Sequence, residues 1–474
     1  MITIFTRLVI LLAAIILLVS CASPAVTANP RTMTFPPLQF EVPRSERVVL
    51  GNGMVVYMLE DHELPIVSMT AYVRVGSIYE PADKVGLAGL TGAVMRSGGT
   101  RDTPPEKLDA ELEFMASHIE SGIGADSGNL SMTTLTKNLD RTLELYGQVL
   151  MTPAFREDRV KLAINTSVEA LRRENDDPKG VADRELNKAL YAGHPLGRHP
   201  TIATVKNIGR VDMEAFHRRY YHPNSVILAI SGDFRKDELL KRLTATFGSW
   251  AKKEVDFPRI DEPSTRVKPE ILFVRKDVSQ SVIRMGEMGI DKNNPDMYAL
   301  RVMNYILGGG FTSRLTQEIR SNQGLAYNVE SEVNVGQRFI GTIADETETK
   351  SESTVRTVTL LRNIIAGMAA APVTDQELSL AKDAIINSFI FGFTKPEVVV
   401  GQQARLEFYG YPPGYLEKYR DNIARVTKDD VLRVAHTYLH PNAAVLVVVG
   451  NDKQFDKPLS TFGPVREIKL EIGK

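Results

Sequence analysis

Cysteine is almost absent from this sequence. Cys21 is the only one in 474 residues, so no internal disulfide can brace the chain in any compartment. An excess of charge of one sign is also absent. Lys and Arg number 57 against 58 Asp and Glu, a formal net charge of −1. No basic cluster dominates either, so neither a global field nor a local patch recruits nucleic acid or an anionic membrane surface, and nucleic acid is not an expected partner. Long hydrophobic runs are missing too. The apolar run from Leu8 to Val19, behind Arg7, is too short to span a bilayer. What remains is ordinary globular composition, 43% hydrophobic and 24% charged, with enough length for two or more domains.

The Leu8–Val19 run suits the core of a signal peptide, so residues 1–20 are expected to be removed and the chain to leave the cytoplasm. The next residues, Leu18-Val19-Ser20-Cys21, resemble a bacterial lipobox, in which the cysteine becomes the lipidated first residue. The alternative is a plain secretory signal cut after Val26-Thr27-Ala28, which would discard Cys21. Ala22, rather than Asp, follows the cysteine; by resemblance to Gram-negative sorting patterns this favours the outer membrane, with the folded part facing the periplasm. Pro24, Pro30, Pro36, Pro37 and Pro43 then mark residues 21–45 as a tether rather than a packed segment.

Beyond the tether the sequence repeats itself. Ile208-Gly209-Arg210-Val211, a helical stretch, Tyr221-His222-Pro223-Asn224 and an apolar run ending at Gly232 recur as Ile423-Ala424-Arg425-Val426, a helical stretch, Leu439-His440-Pro441-Asn442 and an apolar run ending at Gly450. His222 and His440 stand 218 residues apart, as do Gly232 and Gly450. Pro153 and Pro372, each opening a long helical pattern, are 219 apart. The expected domains are therefore 46–251 and 270–474, joined by a charged linker at 252–269 punctuated by Pro258, Pro263 and Pro269. Met54–Leu59, Ser68–Val75 and Leu130–Leu135 read as strands, Asn138–Leu150 and Glu157–Arg173 as amphipathic helices. Strands and helices in blocks imply an α+β fold, each half a sheet with helices packed on it.

Several motifs carry a family resemblance. Gly51-Asn52-Gly53-Met54, Gly86-Leu87-Ala88, Gly98-Gly99-Thr100, Asn175-Asp176-Asp177-Pro178 and His194-Pro195-Leu196-Gly197-Arg198 occur in that order. Together with the duplication, they resemble the pitrilysin/insulinase-type zinc metallopeptidases, especially the two-domain bacterial and mitochondrial-processing type, from about Arg47 to Phe455. In active members a helix after Gly-Leu-Ala carries His-x-x-Glu-His. Residues i and i+4 share a helix face, so two imidazoles can hold one zinc, with the Glu between them as general base. Here those positions are Gly89, Gly92 and Ala93. The later zinc-ligand Glu falls on Ala170, with Glu169 beside it. The resemblance therefore implies no zinc in this chain. The packing explanation for Gly89, Gly92 and Ala93 is a bare helix face that lets another element approach closely.

Other histidines offer little. His436 and His440 have i, i+4 spacing, but His440 belongs to the repeated His-Pro-Asn helix stop, as does His222 beside His217; His194 and His199 lie among prolines in a loop-like stretch. The second half is different. Gly308-Gly309-Gly310-Phe311-Thr312-Ser313-Arg314-Leu315 leads to Arg320 and, seven residues later, Tyr327. This resembles the family motif in which an Arg and a Tyr face the active site. A permanent cation and a phenol could bind a substrate carbonyl and stabilise its oxyanion, with the glycines admitting substrate backbone. The bland readings are a helix-end cation and a half-buried strand residue. Loss of the ligands beside retention of Arg320 and Tyr327 resembles the non-catalytic subunit of a heterodimeric peptidase, whose homologous partner brings the zinc. The rival expectation is a peptide-binding or scaffold protein with no part in proteolysis.

Overall fold

The computed structural model describes residues 40–470; the signal-like run, Cys21 and most of the tether lie outside the described residues. The first half supplies strands β1 (Glu46–Val49), β2 (Val55–Glu60), β3 (Ile66–Val73), β4 (His118–Ile123), β5 (Gly128–Leu135) and β6 (Val226–Gly232). Its helices are α1 (Leu87–Ser97), α2 (Pro105–Phe114), α3 (Leu139–Met151), α4 (Glu157–Arg173), α5 (Pro178–Leu190), the short α6 (Ile202–Lys206), α7 (Arg210–Tyr220) and α8 (Lys236–Phe247). The second half supplies β7 (Ile271–Arg275), β8 (Gln280–Met288), β9 (Val329–Asn334), β10 (Thr342–Lys350), β11 (Val445–Gly450) and β12 (Val465–Glu467). Its helices are α9 (Met297–Asn304), α10 (Thr354–Ala370), α11 (Asp375–Phe389), α12 (Pro396–Phe408), α13 (Tyr415–Arg425) and α14 (Lys428–Tyr438). Residues 252–269 carry neither helix nor strand.

The expected α+β duplication is present. The strand orders are β1-β2-β6-β3-β5-β4 and β12-β7-β11-β8-β10-β9, so β2, β6, β3, β5 and β4 answer to β7, β11, β8, β10 and β9. In both sheets the second and third strands are parallel, and the next three pairings are antiparallel. Only the first strand differs: β1 runs antiparallel to β2, whereas β12 runs parallel to β7.

Each sheet is covered on both faces. On one face lie the half's own helices. Leu87, Val94, Leu143, Val149, Met213 and Phe247 pack with Val56, Met69 and Leu228 in the first half. Leu300, Met303, Val358, Leu361 and Val434 pack with Ile283, Leu446 and Val448 in the second. The other face is covered by a helix from the opposite half. α5 lays Val181, Ala182, Leu186 and Leu190 on Leu272, Val274, Val282, Val445, Val447 and Val449 of the second sheet. α12 lays Val400 and Ala404 on Ile227 and Ala229 of the first, flanked by Val55, Tyr57 and Tyr72. β11 is accordingly buried along its whole length and β6 along all but its last residue, as continuous apolar strands require.

The exchanged helices start alike. Each has Pro at its first turn, Pro178 and Pro396, and these are again 218 residues apart. Asp177 caps α5, accepting from the backbone N–H of Lys179 at 3.0 Å and of Gly180 at 3.1 Å. Polar contacts pin both helices. Arg284 of β8, 5% exposed, reaches Asp183 of α5 at 2.5 Å and Glu346 of β10 at 3.2 Å. Near the end of α12, Glu407 accepts from Arg47 at 2.6 and 2.8 Å and from the Tyr57 hydroxyl at 2.5 Å. Burial, then the hydrogen bond to Glu407, pushes the Tyr57 phenol up to about 12, while Arg47 holds the Glu407 carboxyl below its usual range.

A truncation in this interface tests whether the halves unfold as one. Leu190 is 4% exposed where α5 meets the second sheet. Leu190→Ala is expected to lower stability by about 2–5 kcal/mol in urea unfolding, in a single transition. An unchanged midpoint would show that α5 is not part of the cooperative core.

Candidate functional site

The helix that would bear a zinc motif is built without one. The carboxylate of Glu80 caps α1, accepting from the backbone N–H of Gly86 at 3.1 Å and of Ala88 at 2.5 Å. Leu87, Ala88, Leu90, Thr91, Val94 and Met95 are buried against the first sheet and its helices. Gly89 and Ala93 are exposed, and a side chain at Gly89 would meet nothing within 4 Å. Gly92 is buried. A Cβ there would lie 2.5 Å from the backbone N of Ile123 and 2.8 Å from the carbonyl carbon of Gly122, both in β4. The Ser121 hydroxyl donates to the Gly92 carbonyl at 2.5 Å and ties the two elements together. The bare-face expectation therefore needs correction. Close approach accounts for Gly92 alone; Gly89 and Ala93 face open space.

The later position is no better equipped. Ala170 is exposed on α4, and the neighbouring Glu169 turns to Arg172 at 2.5 Å. Among the described residues no group of three or more His, Cys, Asp or Glu is placed to hold a metal ion. The residues present do not fit zinc: two of the motif positions carry no side chain, the third carries a methyl group, and β4 fills the space that a base at Gly92 would need.

Four of the six candidate histidines are occupied structurally, whereas the Nε2 of His222 is buried without a hydrogen-bond partner among the described residues. His194 accepts from the Leu196 backbone N–H at 3.2 Å, and its Nε2 lies 3.0 Å from the Asp261 carbonyl. His217 is buried with Nε2 3.0 Å from the Leu150 carbonyl, and burial pushes its pKa down to about 4. His199 pairs with Glu174 at 2.6 Å and His440 with Glu287 at 2.9 Å. His436 is exposed on α14.

The second half holds a different constellation. The expected glycine loop is a π-helical turn, Tyr305–Gly309, followed by Gly310 in extended conformation. Gly308 is buried, and its Cβ would sit 2.5 Å from the backbone N of Ser331 in β9. Gly310 lies against the Tyr305 ring, where a Cβ would be 2.8 Å from the nearest ring atom, and Gly309 is exposed. Gly308 and Gly310 thus allow close approach within the chain itself. The segment is anchored by Arg314, which donates to Glu377 of α11 at 2.7 and 3.0 Å and holds that carboxyl at about 2.

Beyond the anchor a second π-helical segment, Thr316–Asn322, presents Arg320. Its guanidinium lies 4.7 Å from the centroid of the Tyr327 ring and 5.1 Å from that of Phe311. Tyr327 is 84% exposed and Phe311 76% exposed, so Tyr327 is not the half-buried strand residue of the bland reading; β9 starts only at Val329. Neither Arg320 nor Tyr327 hydrogen-bonds or ion-pairs through its side chain with another described residue. Two aromatic faces hold the cation in place and leave its N–H donors free. Phe311 carries no site signal of its own in the sequence, although it stands inside the glycine-rich motif.

Under this turn lies a buried acid. Asp345 of β10 pairs in register with Ser331 and is 5% exposed. Its Oδ1 and the Ser331 hydroxyl oxygen lack hydrogen-bond partners among the described residues. Burial pushes its carboxyl up to about 7, with Glu287 adding to the shift and Ser331 opposing it.

Comparison with known proteins gives the family and the fold. Residues 55–203 match the family model described as Insulinase (Peptidase family M16), and residues 207–385 match the Peptidase M16 inactive domain. An uncharacterized zinc protease of Mycobacterium leprae is 26% identical over 87% of this chain and 94% of its own length. A non-peptidase homolog of Helicobacter pylori is 22% identical over 83% of this chain and 91% of its own. Among solved structures, a peptidase M16 inactive domain from Pseudomonas fluorescens superposes with a TM-score of 0.79 at 24% identity, covering 86% of this chain and 98% of that one.

Two outcomes check the site. Gly89→His with Ala93→His is expected to fold and to gain zinc-dependent stability, about 2.7 kcal/mol at a hundredfold excess over Kd and read as a raised melting temperature, whereas Gly92→Glu should cost roughly 1–3 kcal/mol. A Gly92→Glu protein melting like the parent would refute the close-approach account. The second concerns pH. Asp345 binds its proton more tightly folded than unfolded, so its contribution is full below about 4 and is lost as pH rises to about 7. Asp345→Asn should remove that part of the fall, so that urea midpoints at pH 5 and pH 8 lie closer together than in the parent.

Proposed function

This chain belongs to the M16, or insulinase, peptidase family, and we propose that within it the chain is a non-catalytic subunit that completes a partner's active site. The observation that carries this reading is the contrast between two places in one molecule. At α1 the motif positions are bare and the base position is filled by β4. At the second-half turn Arg320 is held between two exposed rings with its donors free. A free guanidinium and a free phenol suit a developing oxyanion on a peptide carbonyl, but they supply neither nucleophile nor base.

The partner would be a homologous chain with an intact His-x-x-Glu-His. It would contribute the zinc and the hydrolytic chemistry, while this chain would contribute Arg320, Tyr327 and the wall around Gly309. An extended peptide would add as a strand to a sheet edge, and β4 and β9 each form one edge of their sheet. The names of two relatives, a zinc protease and a non-peptidase homolog, show that catalytic and non-catalytic designations both occur among proteins like this one. The Leu18–Cys21 pattern supports placing the subunit on a membrane through lipidated Cys21, facing the periplasm.

Co-expression with a homologous chain bearing the intact motif, followed by a peptide cleavage assay, tests this. Arg320→Ala is expected to lower kcat by about 10²–10³-fold with the complex intact, and Tyr327→Phe to lower it less. Full activity in both variants would leave this chain a scaffold.

A further inference from the structure

A second unpaired cation lies in the same half, on the helix that leads into the glycine-rich turn rather than on the segment that carries Arg320. α9 answers to α1: it follows β8 and precedes β9, as α1 follows β3 and precedes β4. Where α1 leaves Gly89 and Ala93 bare, α9 has Tyr298 and Arg301 half-buried. The Arg301 guanidinium lies 5.6 Å from the centroid of the Tyr419 ring. Tyr298 meets Tyr419 edge-on at 5.9 Å, Tyr415 lies 6.2 Å from Tyr419, and Tyr411 packs 4.7 Å from Tyr415. Arg405 of α12 adds a second positive charge that, with Arg301, acts on the Tyr411 phenol.

No acid answers this charge. The Arg301 Nε is buried without a hydrogen-bond partner, and no carboxylate among the described residues pairs with the side chain. Asp296, at the start of the same helix, is taken by Arg433 at 2.7 Å and by the Tyr438 hydroxyl at 3.0 Å. Glu407, on the same helix as Arg405, is taken by Arg47 and Tyr57. Among the described residues the Tyr298 hydroxyl has no hydrogen-bond partner, and that of Tyr415 has only the Met297 sulfur at 3.7 Å. A buried guanidinium N–H without a partner is costly until an acceptor meets it, and the phenols around it add donors and apolar walls for an anion.

We propose that Arg301, with Tyr298 and Tyr415, forms a binding site for a peptide carboxylate, independent of Arg320 and Tyr327. The two oxygens of a carboxylate match the fork of the guanidinium, and the rings would cover the apolar atoms beside it. That the carboxylate belongs to a peptide rests on the function proposed above; the anion site itself does not.

The test uses the purified chain alone, read by fluorescence anisotropy. Three versions of one labelled, apolar-rich peptide are compared: with a free C-terminal carboxylate, with a C-terminal amide, and as that amide with one internal Glu. At least one carboxylate-bearing peptide should bind about tenfold or more tightly than the plain amide, and which one does so distinguishes a chain terminus from a side chain. Arg301→Gln should abolish the difference, Tyr298→Phe should reduce it, and Arg320→Gln should leave it unchanged. Equal binding of all three peptides, no binding of any, or a carboxylate preference that survives Arg301→Gln with a parent-like thermal melt would overturn the proposal. Should Arg301→Gln fail to fold, an unaltered preference in Tyr298→Phe overturns it instead. Neither the partner nor cleavage enters this measurement, so its failure and that of the shared active site are separately visible.

Discussion

β6 and β11 are apolar along nearly their whole length, and a sheet built around such strands has two faces to cover. The helices of each half cover one. The second is covered by α5 crossing to the second sheet and α12 crossing to the first. Burying a Leu or Val side chain is worth about 1.5–3 kcal/mol, so each crossing helix ties several such terms to contact between the halves. Separating the halves would expose both outer faces at once. The duplication therefore yields two sheets that hold each other's helices, and everything else in the molecule is hung on that frame.

The frame explains why the two candidate places differ. In each half a helix meets the edge strand through a glycine: Gly92 against β4, Gly308 against β9. In the first half that contact occupies the position where a base would stand, and no side chain can return there without moving the strand. In the second half the same device leaves the next segment free to bulge outward. Between the two π-helical turns Arg314 reaches its anchor on α11, and the second turn carries Arg320 to the space between Phe311 and Tyr327. Local packing, rather than missing ligands alone, separates the bare face from the equipped one.

Charge is distributed with the same economy. Arginines at the contact between the halves have acids within reach, as Arg47 has Glu407, Arg284 has Asp183 and Arg338 has Asp126. Arg320 and Arg301 do not; aromatic rings stand where an acid would. Rings hold a guanidinium in position without neutralising it, which leaves its charge available to a ligand.

The duplication is legible in the amino-acid sequence, because strand periodicity and the His-Pro-Asn helix stop recur at one offset. α3 and α4 are legible from their 3.6-residue pattern, and the bare zinc positions are legible as residue types. Three things are not. Gly89 and Gly92 look alike as letters, and only the position of β4 shows that one is crowded and the other open. Gly308–Gly310 read as a loop because glycine signals flexibility, whereas the packing of β9 and Tyr305 turns it into a π-helical turn. Amphipathic spacing says that α5 and α12 each bury a face, but not against which sheet. That last point is where sequence and structure divide. Residue types determined that this chain repeats a unit and has no ligands at the zinc positions. Only the tertiary structure decided which sheet each helix covers and which cations are left unpaired, because both depend on contacts that the order of residues along the chain does not show.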